Sequence, residues 1–487
     1  MSKGDSSDAS SDYSDKKVVE VAFSDEEAAA LEKRVWRKVD LVVVPFVTMF
    51  YLLSWLDRTN LGNARIAGLQ KELKLTNDQY SMALTVTFIP YALCEIPSNL
   101  LLKVIGPNYV LPALVTLWGL TTTLQGLVTS YHGLIVARFF IGLFEGGVLP
   151  GLVLYLSFFY PRRKLQSRIS AFFSSASLSG AFSGLLATAI LKMNGREGRG
   201  AWAWIFILEG AFTVAFGLFS FFFFPRSPAH ASFLSEREKE YIHEVLKKDG
   251  AISSNERADG FSWKEIGRTF TCPHFWFLGV VYFCQGTIVY SLSYFAPSIV
   301  NALGYSPVKT QLMTVGPYAS AFVVTNVTSI LADRYQCRGL VSIFSAILCI
   351  AGFAIYKESH RRVTLYGSLF LTIGGISCSS ASLGAWVANN FSPYIRRATA
   401  IAGLSMITNL AGILATWLWG SISTPPRYTV ATNASLALSV IFAVFMMANL
   451  AYLYWANQSK AKSRESIAEA DEDETLGDKS AYYKYIL

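Results

Sequence analysis

Residues 41–64 read LVVVPFVTMFYLLSWLDRTNLGNA. From Leu41 to Leu56 the apolar run is interrupted only by Pro45, Thr48 and Ser54. An α-helix needs about 20 such residues to cross the hydrocarbon core of a bilayer. Asp57 and Arg58 follow, and Leu61, Gly62, Ala64 and Ile66 carry the helical pattern past them. The stretch therefore reads as a membrane-spanning helix with an acid and a base inside it. Ionisable groups at that depth are costly and are functional candidates by default.

The same reading extends along the chain. Further spans are expected at 79–102, 109–129, 133–157, 168–191, 202–224, 273–297, 308–332, 339–356, 364–388, 398–421 and 431–455. Of the 487 residues 52% are hydrophobic and 16% charged. Soluble chains carry about 25% charge. The mean hydropathy is +0.36. The fold class is thus an all-α membrane protein with 12 transmembrane helices in two six-helix bundles.

Polar stretches set the divisions. Residues 1–40 read as a disordered N-terminal tail, 41–224 as the first bundle, and 225–272 as a linker with one or two interfacial helices. Residues 273–456 read as the second bundle and 457–487 as a C-terminal tail. The net charge of +8 does not point to nucleic acid, because its basic residues sit in short clusters between apolar runs. Lys33, Arg34, Arg37, Lys38, Arg162, Arg163, Lys164, Arg168, Arg334, Arg338, Arg396, Arg397, Lys460, Lys462 and Arg464 all fall on one side. The positive-inside rule makes that side, with both termini, cytoplasmic. Lys192, Arg196, Arg199, Arg361 and Arg362 fall on the other side and depart from the rule. The six cysteines show no metal spacing and read as small buried thiols. Neither a metal nor a cofactor is expected, and no P-loop pattern for an ATP-driven pump appears. The chain reads as a carrier, not an enzyme.

Intramembrane charges are unevenly divided. The first six spans hold Asp57, Arg58, Arg65, Glu95, Arg138, Glu145 and Glu209, whereas the last six hold almost none in their apolar cores. Any ion coupling must then rest on the first half. The second half can offer neutral groups: Gln285, Tyr290, Ser293, Tyr294, Trp386, Asn389 and Asn409. No histidine falls mid-span, so proton carriage would rest on carboxylates. Arg138 and Glu145 are seven residues apart, about 10 Å along one helix face. Gly142 and Gly146 form a GxxxG that admits a neighbouring helix closely. Glu95, ahead of Pro97, reads as a structural or gating residue.

Several motifs resemble those of the major facilitator superfamily. The loop Ser329-Ile-Leu-Ala-Asp333-Arg334-Tyr-Gln-Cys-Arg338 resembles its GxxxDRxGRR signature; the matching loop in the first half has Lys103 at the acidic position. Asp57-Arg58-Thr-Asn60-Leu-Gly62-Asn63-Ala64-Arg65 resembles the first-helix signature of the anion:cation symporter family. The similarity is to its fungal allantoate, nicotinate and vitamin permease branch. Glu95-Ile-Pro97-Ser-Asn99, Ala137-Arg138-Phe-Phe-Ile-Gly142-Leu-Phe-Glu145-Gly146, Tyr160-Pro161-Arg162-Arg163, Tyr290-Ser-Leu-Ser-Tyr294-Phe-Ala-Pro297 and Pro426-Arg427-Tyr428 continue it in order. Thr408 before Asn409 departs from that branch, which usually has Gly there.

The resemblance implies the major facilitator fold, alternating access around a central site, a monomer and a plasma-membrane address. It implies proton-driven uptake of a small organic anion. Arg58 would hold the substrate carboxylate, with Asn60, Tyr290, Tyr294, Trp386 and Asn409 also at the substrate. Asp57 and Glu145 would carry protons, with Arg138 modulating Glu145. Glu95, Asp333, Arg334, Gly142 and Gly146 would gate or pack. Two other readings stand beside it: a proton-driven exporter of the same fold, and a non-transporting nutrient receptor. The fifth span, SASLSGAFSGLLATAI, lacks the Gly-Pro motif usual in such exporters.

Overall fold

The structure, a computed structural model, describes residues 25–248, 263–335, 337–392, 394–464, 478 and 480–487. The first half comprises α1 (Asp25–Ile66), the short α2 (Leu69–Glu72), α3 (Asn77–Ile105), α4 (Pro107–Gln125), α5 (Tyr131–Glu145), α6 (Val148–Phe159), α7 (Arg162–Ile190) and α8 (Ala201–Phe223). The linker contributes α9 (Glu236–Lys248) and α10 (Trp263–Phe270). The second half comprises α11 (Pro273–Ala302), α12 (Pro307–Tyr335), α13 (Arg338–Glu358), α14 (Arg362–Asn390), α15 (Tyr394–Trp417) with a π-helical turn at Leu418–Ile422, and α16 (Thr429–Arg464). Among the described residues ten helical segments are long and apolar enough to cross a membrane, α5 and α6 counting as one. The expected second and third spans are α3 and α4. They complete the set of twelve.

Three details differ from the sequence reading. The fourth expected span breaks at Gly146–Gly147 into α5 and α6. α1 begins at Asp25, sixteen residues ahead of its expected span, because the charged lead-in is tied down. Glu238 of α9 accepts from Lys38 at 2.8 Å and pairs with Arg34 at 3.2 Å, while Glu32 pairs with Lys164 at 2.7 Å. Third, part of the expected C-terminal tail is docked. Asn390 and Asn457 each bond both backbone groups of one tail residue, Ile486 and Tyr485 respectively. Arg396, 3% exposed, pairs with Asp478 of the tail and with Glu265 of α10.

The linker, the start of α1 and the C-terminal segment therefore share one face of the helix array, called here the linker face. At the opposite face the halves close on each other. Ser81 donates to the Thr416 carbonyl at 3.1 Å, Gln311 donates to the Asn63 carbonyl at 3.2 Å, and Ser421 donates to Asp78. At Gly62 a Cβ would collide with the Tyr294 carbonyl, so glycine lets α1 lie directly on the α11 backbone.

Candidate functional site

Arg58 stands on α1, with its side chain 11% exposed. Its Nη2 lies 2.7 Å from Glu145 Oε1 on α5, and Ser54 Oγ, one turn back on α1, donates to that same oxygen at 2.5 Å. Removing one partner of a buried pair leaves an uncompensated charge, so each holds the other in place. The guanidinium also lies over three rings, with distances to the centroids of 5.0 Å for Trp55, 5.4 Å for Tyr91 and 5.9 Å for Tyr290. A cation over an aromatic face is stabilised by the ring quadrupole, more so away from water.

The second half completes the surround. Tyr290 of α11 stacks on Trp55 (centroids 6.1 Å, planes 17° apart) and on Tyr294 (6.2 Å, 14°). Phe88 of α3 packs edge-on to Tyr290 at 5.1 Å. Tyr290 Oη donates to Asn409 Oδ1 of α15 at 3.4 Å. Charges from α1 and α5 thus meet neutral hydrogen-bonding and aromatic groups from α11 and α15. The cluster offers a guanidinium that can pair with an anion and ring faces that can pack against a flat group.

Of the residues singled out from sequence, Arg58, Glu145, Tyr290, Tyr294 and Asn409 come together here. Others are placed elsewhere. Asn60 accepts from Ser183 of α7 at 2.7 Å. Trp386 donates its indole N–H to the Ile486 carbonyl at 2.7 Å and packs edge-on to His274, so it serves the docked tail rather than this cluster. Glu145 takes Arg58 as its ion-pair partner; Arg138 lies over Phe206, and its Nε and Nη2 have no hydrogen-bond partner among the described residues. Asp57 faces α4, where Oδ2 accepts from Trp118 Nε1 at 3.2 Å and Thr122 at 3.5 Å. Its Oδ1, like Oε1 of Glu209 on α8, has no partner among the described residues. Gly142 and Gly146 lie against α3, where a Cβ would meet the carbonyls of Thr87 and Tyr91 respectively. Glu95 is half-buried on α3 and Arg334 is exposed; the Asp333 side chain lies outside the described residues.

Sequence reasoning passed over Ser54, Trp55, Phe88 and Tyr91. Helical spacing held the signal. Ser54 and Trp55 stand at i−4 and i−3 from Arg58, and Phe88, Tyr91 and Glu95 repeat at three and four residues along α3. Trp118 and Thr122, the partners of Asp57, are also one turn apart.

Residues 47–416 match the family model described as Major Facilitator Superfamily. The chain belongs to that superfamily. Fungal transporters are similar to it over most of their length. An uncharacterised transporter of Schizosaccharomyces pombe is 33% identical over 92% of this chain and 89% of its own. The high-affinity nicotinic acid transporter of Saccharomyces cerevisiae is 30% identical, covering 94% of this chain and 85% of its own. Among solved structures, the xylose transporter XylE of E. coli in a partially occluded inward-open conformation superposes with a TM-score of 0.67. It shares 14% identity and covers 84% of this chain and 97% of its own. A bacterial homologue of the human lysosomal transporter Spinster, inward-facing and unoccupied, gives 0.66 at 16% identity, with 85% and 97% covered. These two likenesses show the fold; the family model and the fungal relatives show that this superfamily member is a multi-pass membrane transporter.

Proposed function

We propose that this transporter imports a small, flat organic carboxylate together with protons, and that Arg58 is the group for which substrate and Glu145 compete. The observation that carries the reading is the 2.7 Å Arg58–Glu145 pair inside an aromatic surround drawn from both halves. A substrate carboxylate reaching Arg58 must displace Glu145. A proton on Glu145 removes its claim on the guanidinium and avoids stranding a bare carboxylate in the membrane interior. Asp57 is a second carrier, held by Trp118 and Thr122. Once the substrate leaves and Glu145 loses its proton, the pair re-forms. The structure is closed at the face opposite the linker, and in this reading the site next opens toward the linker side. That side is the cytoplasm of a plasma-membrane protein in this reading, and the working unit is the monomer.

A nicotinic acid transporter among the relatives supports a ring carboxylate as the substrate class. The division into bundles at 41–224 and 273–456 follows the same reading. The test is uptake into proteoliposomes with an outside pH dye and an inward proton gradient. Ring carboxylates are compared with their amides. A carboxylate that alkalinises the outside while its amide does not supports symport. Proton movement in the opposite direction, driven by a neutral or cationic drug, would replace it with an exporter.

A further inference from the structure

Glu209 is the intramembrane carboxylate that the transport scheme leaves without a task. It stands on α8, 7% exposed, and its Oε1 has no hydrogen-bond partner among the described residues. Glycines set its surroundings. A Cβ at Gly210, the next residue, would collide with Thr123 of α4, and one at Gly119 would lie 2.8 Å from the Val214 amide nitrogen. Beside that contact α4 carries a buried stripe of Trp118, Thr122 and Gln125, spaced by four and three residues. Trp118 and Thr122 hold Oδ2 of Asp57, while both amide atoms of Gln125 lack a partner among the described residues. The field of Asp57 reaches Glu209 across this level. Phe206, one turn before Glu209 on α8, lies 5.7 Å from the Arg138 guanidinium, which has no ion-pair partner among the described residues. Four helices thus bring together an acid with two donors, an acid with none, and an unclaimed cation. α7 also packs against α8, but it has no ionisable side chain between Arg168 and the exposed Lys192, and α8 has no second one. Asp57 and Arg138 are the charges that Glu209 answers to.

The charge count says which of these groups holds a proton. Asp57, Arg58, Arg65, Glu95, Arg138, Glu145 and Glu209 are three arginines and four carboxylates. With every carboxylate ionised, one negative charge would be left over in the membrane interior. A buried carboxylate without a cation or donor takes a proton instead. Glu145 has Arg58, Asp57 has its two donors, and Glu95 is half-buried; Glu209 has none of these. We propose that Glu209 is a proton carrier of the transport cycle, protonated in this state and ionised when Arg138 turns to it. The inference rests on the symport reading and adds a carboxylate to it. On release the Glu209 O–H bond breaks, the proton passes to water on the linker side, and the carboxylate left behind pairs with Arg138. Burial of the cluster keeps the proton in place until that side opens.

The test uses the full chain in liposomes and has a spectroscopic and a transport arm. Infrared spectra at neutral pH, in water and in heavy water, should show a deuterium-sensitive carbonyl stretch of a protonated carboxylic acid. That component should persist in Glu145→Gln and be absent from Glu209→Gln, which has the shape of the protonated acid and keeps the fold. The transport probe is nicotinate, the acid named for the yeast relative. With the voltage clamped and an inward gradient of about one pH unit, Glu209→Gln should accumulate it about ten-fold less than the wild type. One coupled proton is worth about a factor of ten per pH unit. The variant should still exchange nicotinate without a gradient, and Glu209→Asp should restore accumulation. Equal accumulation by the wild type and Glu209→Gln, or infrared spectra that do not differ between them, would overturn the proposal. A wild type that accumulates no nicotinate would instead break the symport reading, and the infrared difference would still decide whether Glu209 holds the proton.

Discussion

Arg58 Nη2 and Glu145 Oε1 are 2.7 Å apart, joining α1 to α5 across the interior of the first half. The pair is self-sufficient only while no other anion is present. Arg58→Ala should abolish carboxylate binding. Losing a buried charged hydrogen-bond partner costs about 2–5 kcal/mol, at least a thirty-fold or so loss of affinity. Glu145→Gln should keep substrate exchange and lose accumulation driven by a proton gradient. Equilibrium binding and counterflow on the two variants check this; full activity of Arg58→Ala would remove the anion assignment.

Trp386 and Tyr290 should separate cleanly. Tyr290 lies against the guanidinium and Trp386 against the C-terminal segment. Tyr290→Leu should raise the substrate Kd about ten-fold or more, the scale of a lost aromatic contact of about 1.5 kcal/mol. Trp386→Phe should leave Kd within about two-fold and instead expose the tail to protease. A large Kd change in Trp386→Phe would return it to the substrate.

The legibility of this chain from sequence follows physical lines. Apolar length reveals spans, and each of the twelve expected ones falls on helical segments in the structure; the charges in α1 and α5 are visible because they are out of place in lipid. Partner choice is not visible in the same way. Arg138 and Glu145 share a face of one helix by spacing, yet Glu145 pairs with a residue on another helix, a choice made by tertiary packing. Trp55, Phe88 and Tyr91 escaped notice because aromatics are abundant, and nothing local marks those that face a cation. The docked tail was hidden for a different reason: its anchors include side-chain bonds to backbone groups and the Arg396–Asp478 ion pair, which leave no hydrophobic period to read.

Closure of the opposite face can be fixed covalently. A Cβ on Gly420 would lie 3.4 Å from Ser81 Cβ, close to the roughly 3.5–4.5 Å spanned by a disulfide. The double variant Ser81→Cys/Gly420→Cys should cross-link spontaneously, stop transport, and recover with reductant, read by uptake before and after reduction. Transport that continues in the oxidised protein would mean that this face need not open.

Glu238 ties α9 to α1. Burial raises its pKa, but hydrogen bonds from Lys38 and the Ser235 amide outweigh that, so the carboxyl is held below its ordinary range. A depressed folded-state pKa means the stabilisation is full above the unfolded value, about 4.3, and is lost as pH falls through the folded value. The hydrogen-exchange protection of α9, after correction for the intrinsic pH dependence of exchange, should therefore fall in acid below about pH 4. Glu238→Gln should exchange fast at neutral pH and lose that dependence.

Exchange of Glu145 for substrate at Arg58 is read directly by proton uptake on substrate binding, measured by calorimetry in buffers of differing ionisation enthalpy. If a carboxylate takes Arg58 from an ionised Glu145, binding to the wild type should draw in about one proton and binding to Glu145→Gln none. Equal uptake by both proteins, or none by the wild type, would contradict the exchange at Arg58.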